Sequence, residues 1–240
     1  MRQLRKLEQL RGYRLRARDG EIGTLEEIYF DDRRWRVRYF VVHTGGWLHG
    51  RRVLIVPAVV EGVDETEQWV QVDLTRQQIE DSPPVDTALP VSRHYEREYY
   101  RHYGWKPYWI SDLLFGPDPS APPDAASPPE HPHLRDSAEV QGYQLHARDG
   151  EIGRIEDFIL EDPGWAVRYL QIDIRGWLPG RRVLVSPPWI WRVDWSKREV
   201  AVDLTREVIR NAPPCPVAEV IGRDYELALY KHYGVNFDTE

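Results

Sequence analysis

The first half of this chain is repeated in the second half. Moved back by about 130 positions, residues 142–234 lie on residues 12–104 without a gap, and roughly 44 of the 93 aligned pairs are identical. Gly12-Tyr13-Arg14-Leu15-Arg16-Ala17-Arg18-Asp19-Gly20-Glu21-Ile22-Gly23 returns as Gly142-Tyr143-Gln144-Leu145-His146-Ala147-Arg148-Asp149-Gly150-Glu151-Ile152-Gly153. Gly46-Trp47-Leu48 and Gly50-Arg51-Arg52-Val53-Leu54 return as Gly176-Trp177-Leu178 and Gly180-Arg181-Arg182-Val183-Leu184. A solenoid is excluded, because its units of roughly 20–50 residues cannot bury their own faces. The period is that of a small self-sufficient domain, so two tandem copies of one domain are expected.

Each copy reads as a string of short strands. Residues 13–18 alternate in polarity and run into Asp19-Gly20, a dipeptide favoured in tight hairpins. Ile22 to Phe30 form the returning strand, and Gly23 within it suggests a bulge or bend of the kind that curls a small sheet. Trp35 to Val42 alternate and then become wholly apolar, the pattern of a strand that begins half exposed and ends buried. Arg51–Val56, Val59–Val63 and Trp69–Leu74 complete about six strands per copy, an all-β barrel or sandwich.

Helices are expected only at the margins. Thr75-Arg76-Gln77-Gln78 has the form of a capping box for a helix that ends before Pro83-Pro84. Ser92 caps a longer one, Arg93 to Tyr103, closed by Gly104. Its stripe Tyr95, Tyr99, Tyr103, matched by Tyr225, Leu229, Tyr233, is the face of a helix packed on its own barrel or on a neighbour. His102 and His232 stand near the helix ends, where the helix dipole favours them. Gly116 to His133 is dense in proline, alanine, serine and aspartate and reads as an accessible, semi-extended tether. His131-Pro132-His133 lacks the companions of a zinc site. The expected organisation is residues 1–110 as first barrel with its helix, 111–134 as Pro-rich linker, and 135–240 as second barrel with its helix.

Composition bounds the function. The chain has 240 residues, 41% hydrophobic and 30% charged, enough for two modest cores. The single Cys215 cannot form an intrachain disulfide and fits a reducing compartment. The longest apolar run, Val53 to Val60, falls far short of the roughly 20 residues of a membrane span. The first eight residues do not resemble a secretory signal. A cytoplasmic protein without membrane insertion is expected. The net charge of -7 argues against nucleic acid as a partner. Against that stands an arginine-rich start, in which Arg2, Arg5 and Lys6 are candidates for electrostatic contact with an acidic surface.

The order of elements resembles the PRC-barrel family, named for the H subunit of photosynthetic reaction centres. The resemblance rests on Leu10-Arg11-Gly12-Tyr13, Asp19-Gly20-Glu21-Ile22-Gly23, Trp35 to Val42, the Gly-Gly-Trp loop, Arg51 to Pro57, Val72-Asp73-Leu74-Thr75, and Ile79 with Pro83-Pro84. It covers about residues 4–85 and 134–215. The same barrel forms the C-terminal half of a bacterial ribosome maturation factor. The resemblance implies a compact six-stranded β-barrel serving as an adaptor: two tandem barrels, each with short C-terminal helices, forming a pseudo-dimer that docks on a larger protein complex. A ribosome- or RNA-associated assembly factor using the Arg-rich leader is the alternative.

The residues suggest no reactive constellation. No nucleophile elbow, phosphate loop or metal motif occurs, so no catalytic, cofactor-binding or metal-ligating residue is assigned and no enzyme is expected. Charged residues shared by the copies (Arg18/Arg148, Asp19/Asp149, Glu21/Glu151, Glu26/Glu156, Arg38/Arg168, Arg51-Arg52/Arg181-Arg182, Asp73/Asp203, Arg76/Arg206) read mostly as cross-strand and turn pairs. The sharper signal is where the copies differ. Val59, Glu61 and Glu65 become Trp189, Trp191 and Trp195. In a regular strand, positions 189 and 191 share a face. Both indoles are therefore expected to be covered from outside the six strands of the second barrel, by Trp105, Tyr108 and Trp109, by the first barrel, or by another subunit of a homo-oligomer. These six aromatic residues are the candidate interface.

Overall fold

A computed structural model of the chain describes residues 2–85, 91–109, 133–174, 180–216 and 221–234. The fold is mainly β and divides into two compact units. Most of the tether, and with it the expectation of its accessibility, lies outside the described residues, as do His131, Pro132 and Trp177.

The unit Leu10–Asp136 is built on β2 (Arg14–Ala17), β3 (Gly20–Asp31), β4 (Arg36–His43), β5 (Arg52–Ile55), β6 (Val60–Asp64) and β7 (Trp69–Val72). Neighbours run β6-β7-β2-β3-β4-β5, all antiparallel except β7 on β2. The other unit holds β9 (Gln144–Ala147), β10 (Gly150–Asp162), β11 (Ala166–Asp173), β12 (Arg182–Val185), β13 (Ile190–Asp194) and β14 (Glu199–Val202). Their order, β13-β14-β9-β10-β11-β12, is the same, again with one parallel pair, β14 on β9.

The expected closed barrel is not completed by hydrogen bonds. Among the described residues no ladder joins β5 to β6 or β12 to β13. Between them lie 3-10 turns, Pro57–Val59 and Pro187–Trp189, whose prolines have no N–H to give to a ladder.

The glycine in the long strand has a clear cause. The ladder shifts register between Glu21 and Gly23, and again between Glu151 and Gly153. A Cβ on Gly23 would lie 2.1 Å from the carbonyl oxygen of His43, and one on Gly153 would lie 2.4 Å from that of Asp173. Only glycine lets the backbones approach this closely at the bend. Trp35, expected to begin a strand, instead stands in the preceding turn at φ 49°, as Trp165 does at φ 54°.

The boundary expectation changes in one respect. Residues Met1–Gln9 belong with Ser137–Glu240, and the first unit runs on to Asp136. Strand β1 (Gln3–Lys6) pairs with β10, and β8 (Leu134–Asp136) pairs with β3. The leader of each repeat therefore completes the sheet of the other. The physical reason is length: β3 and β10 outrun their hairpin partners, and the uncovered part of the edge needs a strand to satisfy its backbone groups. Single helical turns, α1 (Leu7–Leu10) and α4 (Ser137–Val140), follow these strands.

The helices match the sequence signals. On α2 (Arg76–Glu80), Thr75 and Gln78 form the capping box; α5 (Arg206–Asn211) is capped by Thr205. Ser92 caps α3 (Arg93–Tyr103), and Gly104 ends it at φ 69°; α6 (Arg223–Tyr233) ends at Gly234, φ 71°. The tyrosine stripe of α3 faces its own sheet, where the Tyr99 hydroxyl donates to the Leu54 carbonyl at 2.7 Å. In the second unit Leu229 replaces that tyrosine, and Tyr233, one turn later, donates to the matching Leu184 carbonyl at 3.1 Å. His102 and His232 do more than sit near a dipole: each Nε2 bonds a carbonyl of the shorter helix, Gln78 at 2.9 Å and Val208 at 2.8 Å.

Candidate interaction site

Most of the shared charged residues are engaged in structural pairs, as their pattern suggests; Glu21 and Glu151 are exposed. Arg18 pairs with Asp73 and Arg148 with Asp203 across parallel strands. Asp19 and Asp149, in the hairpin turns, accept from the backbone N–H of Arg76 and Arg206 at 2.8 and 2.7 Å, each at the first turn of a helix. Arg52 pairs with Glu26 at 2.6 Å and Arg182 with Glu156 at 2.8 Å. Arg51 and Arg181 donate to the carbonyls of Ser82 and Ala212.

The long helix of each unit buries a carboxylate that the sequence reading missed. Glu96 is fully buried; it accepts from the hydroxyls of Tyr39 at 2.9 Å and Tyr108 at 3.0 Å and pairs with Arg93 at 2.8 Å. Burial holds the Glu96 carboxyl above the usual carboxylate range, against the opposing pull of Arg93. Glu226, equally buried, accepts from Tyr169 at 2.7 Å, and Arg2 forks onto both its oxygens at 2.9 and 3.0 Å. Identity of Glu96 with Glu226 and Tyr39 with Tyr169 in the repeat was the available signal. These nodes bind helix to sheet and leader to unit.

The leader cations are all paired, Arg5 and Lys6 in buried positions and Arg2 in an exposed one. Arg2 also contacts Glu161 at 3.0 Å, Arg5 is 6% exposed and pairs with Asp162 at 3.0 Å, and the Lys6 ammonium donates to the Pro216 carbonyl at 2.6 Å. Of the candidates for outward electrostatic contact, Arg5 and Lys6 are buried by this geometry, whereas the Arg2 side chain is 38% exposed. His133 Nδ1 lies 3.1 Å from Asp32, which Arg135 also meets at 2.8 Å.

The six candidate aromatic residues separate. Trp105, Tyr108 and Trp109 pack on the first unit's own helix cluster. Trp105 stacks on Tyr103 at 4.3 Å, Trp109 meets Tyr100 edge-on at 5.3 Å, and Arg38 lies 3.9 Å over Tyr108. Trp189 is half-buried against Tyr233 at 4.3 Å and Tyr230 at 5.9 Å. Its cover does come from outside the six strands, but from α6 of its own unit. It reaches the tyrosine equivalent to the one Trp105 stacks on, while the repeat position of Trp105 is Val235. An indole has thus moved along the sequence while meeting the same helix face. Trp195 is half-buried, its ring 6.1 Å from Tyr143.

Trp191 differs from Trp189: within the single chain it is 61% exposed. The same-face inference fails because Trp189 ends a 3-10 turn and Trp191 sits at the register shift between Ile190 and Arg192, so alternation does not carry from one to the other. Trp191 borders a half-open depression of about 440 Å³, with His146, Arg148, Arg192, Glu199 and Asp203. Arg148 holds the Asp203 carboxyl below its usual range. On the first unit, Glu61 and Trp69 replace Trp191 and Glu199, and Trp69 is half-buried, with Arg14 4.0 Å over its ring.

Residues 4–79 match the PRC-barrel domain family model. This stretch of the chain is a PRC-barrel domain. No curated protein matches the chain. The match begins within β1, so the PRC-barrel domain as a sequence unit includes a strand that the fold seats in the other unit, and β8 takes the equivalent place on β3. No helix among the described residues is long and apolar enough to cross a membrane.

Proposed function

We propose that the chain is a non-enzymatic cytoplasmic adaptor built from two PRC-barrels, the second spanning about residues 134–215, and that it docks on a larger protein complex through the face around Trp191. The observation that carries this reading is a tryptophan 61% exposed beside a depression of mixed charge. An open indole ringed by charged groups is the anatomy of an anchor at an interface. The sequence likeness of the second repeat and its matching strand order support a second PRC-barrel. The engagement of the common charged residues in pairs and caps supports a binding module over a reaction site. An RNA-associated role would call on Arg2, Arg5 and Lys6, whose charges are met within the fold. The test is affinity capture from native cells with the full chain and its Trp191→Glu variant, read by mass spectrometry. Loss of a stoichiometric partner in the variant is expected. Capture that survives Trp191→Glu but is lost with Leu227→Glu, at the other exposed large hydrophobic residue among those described, would place the docking face elsewhere.

A further inference from the structure

The edge of β10 that carries β1 is built to receive a particular strand. β9 covers Gly150–Arg154 of β10, and β1 covers Ile159–Asp162 further along the same edge. In the other unit β2 and β8 divide β3 in the same way. The two exchanges share one register under the repeat offset. Lys6 faces Ile159 as Asp136 faces Tyr29, Arg5 faces Leu160 as Arg135 faces Phe30, and Leu4 faces Glu161 as Leu134 faces Asp31. Backbone geometry therefore does not discriminate between the two strands; side chains must.

The β10 seat is acidic in a specific pattern. Asp162 meets Arg5, and Glu161 and Glu226 both meet Arg2. Glu226 is 2% exposed, so withdrawing β1 removes a forked guanidinium from a buried carboxylate, an expensive loss. On the β3 seat Arg135 and His133 converge on Asp32, and the buried Glu96 takes its arginine from its own helix. The Lys6 ammonium, on the Pro216 carbonyl at 2.6 Å, stands beside Cys215 in a neighbourhood that holds Asp157 and the Glu156–Arg182 pair. An aspartate there, as β8 carries at Asp136, would add a third acid. The two seats thus select different occupants on charge.

We propose that this edge of β10 is a strand-accepting site selective for an extended segment of the pattern Arg-x-Leu-Arg-Lys, and that the leader of a second copy of this chain can fill it. Strand addition draws affinity from main-chain hydrogen bonds and specificity from alternating side chains. A leader from another copy makes the same contacts as the resident one, so the balance between the two is set by effective concentration. The inference is independent of the docking face around Trp191.

The test uses the full chain with Arg2→Glu and Arg5→Glu, which weaken its own leader, and a labelled peptide of residues 1–9 followed by fluorescence anisotropy. The peptide should bind this variant and bind wild type far less at equal concentration. A peptide with the same two arginines reversed should bind at least about tenfold more weakly. Where the double variant does not fold, Arg2→Ala serves in its place. Wild-type chains carrying two different tags, incubated together at high concentration, should co-purify, and excess peptide should suppress this. A folded variant that ignores the peptide overturns the site, equal binding of both peptides overturns the selectivity, and absence of mixed species overturns the second copy as occupant.

Discussion

Trp189 and Trp191 stand two residues apart yet should respond very differently to reversion to the residues of the first repeat. An indole side chain presents about 200 Å². Half of that buried, at about 25 cal/mol per Å², is worth ~2.5 kcal/mol. The ring contacts of Trp189 with Tyr233 and Tyr230 add about 1 kcal/mol. Its Nε1–H, buried without a hydrogen-bond partner among the described residues, offsets about 1 kcal/mol. A valine would retain part of the apolar contact, so Trp189→Val should cost ~2 kcal/mol of the second unit's stability. Trp191→Glu, at a side chain 61% exposed, should change stability by no more than about 0.5 kcal/mol. Urea titration followed by far-UV circular dichroism, with hydrogen exchange resolving the second unit, measures both. Equal losses would mean that the two indoles share one environment after all, and the assignment of Trp189 to the helix and Trp191 to solvent would fail.

Burial raises the Glu96 carboxyl above its usual value of 4.5, so the stability it contributes is full below that pH and is lost as pH rises through the folded value. Glu96→Gln should therefore gain on wild type as pH climbs from about 4.5, and a gain with falling pH in denaturant midpoints would refute the burial argument. Gly23→Ala places a methyl against the His43 carbonyl and should cost ~2 kcal/mol. Gly46→Ala, with nothing within 4 Å, should be close to neutral in the same melting assay. Burial pushes the Cys215 thiol up to about 11, so it should react with a thiol reagent at neutral pH only on unfolding. Prompt labelling of the native chain would contradict its buried position.

What was legible in the sequence was whatever local chemistry specifies by itself. The capping box at Thr75, the glycine stop at Gly104 and the glycine bend at Gly23 each follow from a residue whose backbone or side chain has one good use at that place. Trp191 was misplaced because alternation presumes an unbroken strand, and the 3-10 turn that breaks it depends on how Pro187 meets the sheet. The buried glutamates were present as identities between repeats, but a charged residue on a helix reads as solvated until its tyrosine and arginine partners, up to 224 residues away, are known. The strand exchange was beyond reach for a deeper reason. Because the repeats are alike, Leu4-Arg5 and Leu134-Arg135 fit either long strand in the same register, and local sequence assigns each to its own repeat by proximity alone. The discriminating terms are long-range: Arg2 on Glu226, and Lys6 rather than an aspartate near Asp157 and Cys215. Divergence at positions 2 and 6 then acts on which leader sits where, within a repeat in which about half of the aligned positions are identical.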